Sequence, residues 1–221
     1  MALRWRDARG TERGQTPPCP RTVKKYADQA ERWSATAYAD PDVYLAHRAE
    51  LIVELGPRLE PGDAVLDLAA GDGGLAAFLP EQRYLGVDAS PEMVASSHGR
   101  AVLGDLNDYV PAEPVAATLC FRAIYYARDR AAFFAHVAGY TEKKLVFDLN
   151  PRQYRLDDVR ADLETAGFDR LALRPFLVPQ TAALPAPLRA LAVAAERTPL
   201  ARLLLRFRFT YVCAAFRGTN R

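Results

Sequence analysis

Residues 64–93 constrain most strongly what this chain of 221 residues can fold into. The stretch reads AVLDLAAGDGGLAAFLPEQRYLGVDASPEM: an apolar run, a turn of small residues, apolar residues at helical spacing as far as Pro80, and a second apolar run. The first run ends in Asp67 and the second in Asp88. Short apolar runs are typical of buried parallel strands, and proline ends a helix. The order of strand, glycine turn, helix, strand and acid predicts half of a Rossmann-like, doubly wound sheet.

Each part of this unit suits a nucleotide-like ligand. Gly71 and Gly73 let the backbone turn tightly and let a ligand approach where a Cβ would otherwise stand. Asp88 follows the second strand directly, where its carboxylate can accept hydrogen bonds from both hydroxyls of a ribose. We therefore expect a nucleoside-containing ligand at this edge of the sheet.

The glycine pattern does not choose the ligand by itself. Gly71-x-Gly73-x-x-Ala76 fits the dinucleotide fingerprint. The same stretch resembles motif I of the class I S-adenosylmethionine-dependent methyltransferases, with Ala69 in place of the first glycine and Gly71 and Gly73 as the second and third. Asp67 occupies the acidic position of that motif. It favours the methyltransferase, because a carboxylate would repel an anionic pyrophosphate but would attract the cationic end of S-adenosylmethionine.

A third acid follows a third predicted strand. Residues 101–103 form a short apolar run that ends shortly before Asp105. The resemblance implies that Asp105 accepts a hydrogen bond from the adenine amino group and that the backbone N–H of Leu106 donates to the ring. A doubly wound sheet gathers its strand ends in one crevice. A nicotinamide-dependent dehydrogenase explains Asp67 and Asp88 less well and Asp105 not at all.

The resemblance therefore implies S-adenosylmethionine as the cofactor, and it places a set of residues around it. Met93 and Ala89 would lie near the adenine or ribose, although Met93 also suits plain core packing. The predicted cofactor-binding residues are Asp67, Ala69, Ala70, Gly71, Gly73, Asp88, Ala89, Met93, Asp105, Leu106, Phe121 and Arg122.

The acceptor is expected to be a small, fairly apolar molecule such as a natural product or a lipid-like compound. Enzymes that methylate amino groups of nucleic acids carry an Asn/Asp-Pro-Pro-aromatic motif after the fourth strand, and this chain has none after residues 115–121. A net charge of +2 gives no argument for nucleic acid. The candidate substrate-binding residues are Tyr26, Tyr44, Tyr125 and Tyr126. No motif identifies a general base; the candidates by location are Tyr125, Tyr126, His47 and Asp148.

The predicted organisation is a disordered basic tail (1–21) and a single methyltransferase domain (22–221). The domain comprises a helical cap (22–58), seven strands with the last one antiparallel beside the fifth, and a helical insert (175–205) between strands six and seven. The insert is expected to roof the acceptor pocket; a dimer interface, plain packing or contact with a membrane surface are the alternatives. Arg48 in the cap could pair with the cofactor carboxylate or lie on a solvated helix face.

Composition limits the remaining possibilities. The three cysteines are far apart and odd in number, so neither a disulfide framework nor a metal site is expected, and a reducing cytoplasm fits. No apolar stretch approaches the roughly 18 residues of a membrane span, although peripheral contact stays open, as does the choice between monomer and homodimer. Three alternatives to a methyltransferase remain: a protein that binds the cofactor for a non-methylating reaction, an NAD(P)-dependent oxidoreductase, and a binding protein without turnover.

Overall fold

A single seven-stranded sheet forms the centre of the protein in a computed structural model that describes residues 33–199, 201–204 and 209–218. The strand order is β3-β2-β1-β4-β5-β7-β6. Strands β1 to β5 pair in parallel, whereas β7 runs antiparallel to both β5 and β6. This confirms the predicted α/β architecture and the position of the last strand. The strands are β1 (Ala64–Leu68), β2 (Arg83–Asp88), β3 (Ala101–Leu103), β4 (Val115–Cys120), β5 (Thr141–Leu149), β6 (Arg170–Phe176) and β7 (Thr210–Phe216). The predicted basic tail and Tyr26 lie outside the described residues.

Helix starts follow the capping signals in the sequence. Asp40, Ser90 and Asp129 each accept a hydrogen bond from a backbone N–H in the first turn of the helix that follows. Two of these helices also carry proline in the first turn, where its missing N–H costs nothing. The α-helices are α1 (Trp33–Ala37), α2 (Pro41–Glu54), α3 (Pro91–Ser96), α4 (Arg130–Ala138), α5 (Leu156–Thr165), α6 (Ala186–Ala195) and α7 (Ala201–Leu204).

Two elements differ from the sequence-based expectation. The helix predicted after the glycine turn is a single 3₁₀ segment, Gly74–Phe78, because the turn before it and Pro80 after it leave room for little more than one turn. Strand β6 runs as far as Phe176, past residue 175 where the insert was expected to begin, because β7 pairs with it along its whole length. Pro175 is tolerated within β6 because this is an edge strand, where an N–H can be lost without breaking a central ladder.

Both faces of the sheet are buried. Every residue of β1 and β4 is buried, as expected for central parallel strands. One face packs against α4 and α5 through residues such as Phe134 and Leu163, and the other packs against α2 through residues such as Ile52. This double layer fixes the strand ends, and with them any site built there.

The insert between β6 and β7 is hydrogen-bonded to the cap. Gln180 accepts a hydrogen bond from the Ala39 N–H, and its side-chain amide donates to the carbonyl of Ala37. Helix α6 buries none of its residues, and Leu188 and Leu191 are exposed. Within the described part of the chain, no helix is both long enough and apolar enough to cross a membrane.

Candidate functional site

A cavity of about 280 Å³ opens at the carboxyl ends of the parallel strands. Its walls come from the segments that follow β1, β2, β3 and β4, together with α1 and α2 of the cap. Because β1 lies between β2 and β4 in the sheet, the cavity has two sides. We call the part over β2 and β3 the β2–β3 side, and the part over β4 and the cap the β4–cap side. This is the crevice at which open α/β sheets bind ligands.

The glycine turn forms the floor between the two sides. Ala69, Gly71 and Gly73 all adopt positive φ angles, of 63°, 62° and 68°. A Cβ on Gly71 would stand 2.9 Å from Cδ1 of Trp33, so glycine is required there both for backbone conformation and for space. Ala69 adopts the left-handed conformation despite its side chain, at the position where the family motif has its first glycine. Strained backbone of this kind persists where the surroundings determine it, often at functional sites.

Asp88 ties the glycine turn to the end of β2. Its Oδ2 accepts from the Gly71 N–H at 2.8 Å, and its Oδ1 accepts from the Ser90 N–H at 2.9 Å. Burial raises the pKa of Asp88, while the backbone donors of Ser90, Gly71 and Ala89 work against that rise. A carboxylate has about four acceptor positions, so Asp88 can still accept a hydrogen bond from a ligand beside these backbone donors.

Asp105, after β3, lies on the same side of the cavity but is more engaged than expected. It accepts from the backbone N–H and the side-chain amide of Asn107, at 2.8 and 2.7 Å. Arg128 adds an ion pair at 2.9 Å. Met93 and Leu106 are both buried and line the cavity, giving this side an apolar surface beside its two acids.

Asp67, at the end of β1, is a buried acid with one short hydrogen bond. The Tyr84 hydroxyl donates to its Oδ2 at 2.6 Å. Burial raises the pKa of Asp67 to about 6, although Tyr84 and the Arg48 guanidinium oppose this effect. Its carboxyl is therefore mostly ionised at neutral pH and loses its charge as the pH falls through about 6.

The β4–cap side is built around Arg48, a buried cation from helix α2. Its Nη2 donates to the Tyr44 hydroxyl at 2.9 Å, and its guanidinium carbon lies 4.3 Å from the centre of the Phe121 ring. Arg48 and Phe121 line the cavity; Tyr44 is not among the lining residues and stands behind Arg48, stacked on Tyr38 at 4.3 Å. The structure thus places Arg48 inside the site and not on a solvated helix face.

Arg122 is the second residue after β4 and has an unusual backbone conformation, with φ of 54°. Its N–H donates to Oδ1 of Asp148 at 2.7 Å, which joins the ends of β4 and β5. Its guanidinium carbon lies 5.4 Å from the Trp33 ring centre and 5.7 Å from that of Tyr38. Asp148 is not a lining residue, and burial raises its pKa while Arg48 opposes the rise.

The structure gathers most of the predicted site in this one cavity. Tyr125 and Tyr126 line it, with ring centres 4.3 Å apart. Gly73 shapes the turn without being a lining residue, and His47 lies elsewhere, 2.8 Å from Glu196 in the contact between α2 and the insert. None of the insert's described residues lines the cavity, and its described contacts include bonds to the cap, so the roof stays a prediction.

Several lining residues escaped the sequence-based selection. They come from the cap or from the segments after β1, β2, β3 and β4, and only capping signals or proximity to a predicted strand end could have indicated them. These residues are Trp33, Tyr38, Leu45, Gly74, Leu75, Ser90, Gly104, Asn107, Ala123 and Arg128.

Comparison by sequence finds no relatives: no protein-family profile matches the chain, and no curated protein matches it. Comparison by structure finds many. A chain of the Haloferax volcanii complex between a methyltransferase and the Trm112 methyltransferase activator superposes with a TM-score of 0.61 at 19% identity, covering 90% of this chain and 99% of its own.

Two further structures show how widely this architecture is used. Magnesium protoporphyrin IX methyltransferase from Synechocystis PCC 6803, solved with S-adenosylhomocysteine, has a TM-score of 0.58 at 16% identity, covering 90% of this chain and 100% of its own. The [4+2]-cyclase SpnF has a TM-score of 0.63 at 14% identity, covering 94% of this chain and 100% of its own. Similarity at this level of identity concerns the backbone architecture. The chain therefore has the fold of the class I methyltransferases.

Proposed function

We propose that this protein is an S-adenosylmethionine-dependent methyltransferase acting on a small, apolar molecule. The observation that carries the proposal is the convergence of three acids, Asp67, Asp88 and Asp105, at the ends of adjacent parallel strands around one cavity with a glycine turn in its floor. Structural neighbours crystallised with S-adenosylmethionine or S-adenosylhomocysteine support the choice of cofactor.

The residues of the β2–β3 side fit the adenosine part of this cofactor. Asp88 keeps acceptor capacity beside its backbone donors, which suits a hydrogen bond from a ribose hydroxyl. Met93 and Leu106 offer buried apolar side chains suited to a planar ring, and Asp105 lies beside them for the amino group of adenine.

The floor and the cap fit the methionine part. Asp67 is a buried carboxylate at the glycine turn and suits the ammonium group. Arg48 is a buried cation whose Nε has no hydrogen-bond acceptor, so it suits the carboxylate. Opposite charges placed in this way orient the cofactor along the axis from β3 to the cap.

Bound in this position, the cofactor supplies an electrophilic methyl group on a sulfonium whose departure leaves a neutral thioether. The protein then has to align the acceptor and exclude water. Phe121, Trp33 and Tyr38 provide an aromatic wall for this purpose on the β4–cap side. Any proton that leaves the acceptor could pass to Tyr125 or Tyr126, which line the cavity, more readily than to His47 or Asp148, which do not.

A thermal-shift experiment on the purified protein tests the proposal. S-adenosylhomocysteine should raise the melting temperature, whereas NAD and NADP should not, because a ligand that binds only the folded state stabilises it. A shift with NAD or NADP alone would contradict the proposal and make Asp88 the ribose ligand of a dinucleotide. No shift with any of the three would favour a binding protein without turnover.

A second candidate function is a non-methylating reaction in the same cavity. The observation that favours it is the structural likeness to a [4+2]-cyclase. Formation of S-adenosylhomocysteine from S-adenosylmethionine with a panel of acceptors distinguishes the two, because only methyl transfer consumes the cofactor.

We further propose that the protein is cytoplasmic, since Cys120 and Cys213 are buried and form no disulfide. The apolar aromatic wall of the cavity agrees with a role in secondary metabolism.

A further inference from the structure

Two guanidinium groups stand together in the β4–cap side of the cavity. Arg48 comes from helix α2, and Arg122 is the second residue after β4. Both lie against the same ring, with guanidinium carbons 5.9 Å and 5.7 Å from the centre of Tyr38, and both line the cavity. Two cations side by side in an aromatic pocket repel each other, and bound anions would offset this repulsion.

Neither guanidinium has a carboxylate within ion-pair distance in the described part of the chain, although the buried carboxyl of Asp148 interacts electrostatically with both. Both arginines also have an unsatisfied buried N–H, on Nε of Arg48 and on Nη1 of Arg122. Burial works against their charge, yet Tyr38 and Tyr44 raise the pKa of both side chains, and Asp148 adds to the rise for Arg48. Buried charges are normally paired, and an unpaired one at a ligand cavity indicates a ligand of opposite charge.

The cofactor of the proposed function accounts for one of the two cations. S-adenosylmethionine carries a single carboxylate, and Arg48 is the better partner because it is 4% exposed and interacts electrostatically with Asp67, the acid assigned to the ammonium group. Arg122 then remains without an anion. The backbone N–H of Arg122 donates to Asp148, and its guanidinium lies near the rings of Trp33 and Tyr38. The guanidinium is therefore already in place before an acceptor binds.

We propose that the methyl acceptor carries a carboxylate, and that the guanidinium of Arg122 binds it. This inference rests on the proposed function and specifies its substrate class as an apolar monocarboxylic acid. A single cation, flanked by aromatic rings on two sides, matches one planar monoanion; a phosphate dianion would need more donors than this wall offers. The aromatic wall of Trp33, Tyr38 and Phe121 accommodates the apolar remainder of the acceptor.

The test compares charged and neutral probes of the same shape on protein saturated with S-adenosylhomocysteine. The probe pairs are 1-naphthoate with 1-naphthamide and decanoate with decanamide, titrated calorimetrically. Wild-type protein should bind at least one carboxylate about tenfold more tightly than its amide. Arg122→Gln should abolish this preference, and Arg122→Lys should retain part of it because it keeps the charge. Arg160→Gln, at an exposed position of helix α5 that does not line the cavity, should leave the preference unchanged.

Affinity for S-adenosylhomocysteine, measured first in every variant, separates this inference from the proposed function. Arg122→Gln should bind S-adenosylhomocysteine within about twofold of wild type, because Arg48 holds the cofactor carboxylate. Absence of binding in wild type would contradict the proposed function itself. Equal affinities for carboxylate and amide in both pairs would overturn the inference, as would a preference that survives Arg122→Gln. A tenfold loss of S-adenosylhomocysteine affinity in Arg122→Gln, with the preference intact, would reassign Arg122 to the cofactor.

Discussion

The two sides of the cavity are held together in different ways. On the β2–β3 side, each acid accepts a hydrogen bond from a backbone N–H two residues later, Ser90 for Asp88 and Asn107 for Asp105, and further bonds come from neighbouring strand ends. The cap, which walls the other side, is held from outside the cavity by contacts between distant segments, such as His47 with Glu196 across 149 residues. One side is formed by the strand ends themselves, and the other depends on docking of the cap and the insert.

This difference predicts where a mutation shows its effect. Substitutions on the β2–β3 side should change ligand affinity with little effect on folding, since the backbone around them is set by the sheet. Substitutions that anchor the cap should change the free energy of unfolding first. Each of the following experiments can sharpen or break that distinction.

The largest effect is expected for Asp88→Ala. Removal of a charged acceptor should weaken binding of S-adenosylhomocysteine by about 1.5–3 kcal/mol, roughly ten- to a hundredfold, in calorimetric titration. The free energy of unfolding should change less than the affinity, because Asp88 is only partly buried and water can reach the freed N–H groups. Asp108→Ala, an exposed acid that also pairs with Arg128, is the matched control and should bind normally. Unchanged affinity in folded Asp88→Ala would remove the ribose assignment.

Lys144→Met tests the cap instead. Lys144 is completely buried in β5 and donates to the carbonyls of Val53 and Leu55, at 3.1 and 2.8 Å, where helix α2 ends. Loss of both bonds should cost about 2 kcal/mol of unfolding free energy in urea denaturation at pH 9.5. The control is Lys143→Met, because Lys143 is the adjacent residue and forms a partly exposed ion pair with Asp63. This variant should lose less than about 1 kcal/mol of unfolding free energy.

The pH dependence of this variant provides a second check. Burial lowers the pKa of Lys144 from 10.5 to about 7. The unfolded chain therefore binds more protons between pH 7 and 10.5, and wild-type stability should rise with pH across that window because of Lys144. The Met variant should lack this rise. A parallel rise in both proteins would mean that Lys144 is not the group that titrates.

The same contrast explains what could be predicted from the sequence. Asp67, Asp88 and Asp105 were predicted because each follows an apolar run, and a parallel sheet brings such ends together whatever the rest of the chain does. The ion pair of Asp105 with Arg128 and the contact of His47 with Glu196 were not predicted, because no spacing or period connects residues 23 and 149 positions apart. The contact of the insert with the cap was not predicted either, because the sequence of the insert indicates helices but not the surface on which they pack.

Glu196→Gln probes the contact between cap and insert. Burial disfavours charge on His47, but Glu196 and Glu50 outweigh this and raise its pKa. The pair should therefore stabilise the fold fully below pH 6.5 and lose this contribution as the pH rises through the raised pKa. Glu196→Gln should reduce stability by about 1 kcal/mol at pH 6 and less at pH 8.5, while its amide oxygen still accepts from the Leu177 N–H. Glu50→Gln, the 68% exposed partner of His47, should show almost no difference.

Asp67 offers the smallest effect and links the two sides, since it lies on the strand between them. Its pKa of about 6 means that its carboxyl loses charge as the pH falls from 7.5 to 5.5. Under the proposed function, the ionised form attracts the ammonium group of the cofactor, so the Kd for S-adenosylhomocysteine should rise about three- to tenfold over that interval. Asp67→Asn should bind more weakly at pH 7.5 and lack this component, and any slope that persists in it reports Asp88, whose pKa is also raised. If wild type and Asp67→Asn had the same pH profile, Asp67 would not contact the ligand, and its role would be to stabilise the fold through its hydrogen bond with Tyr84.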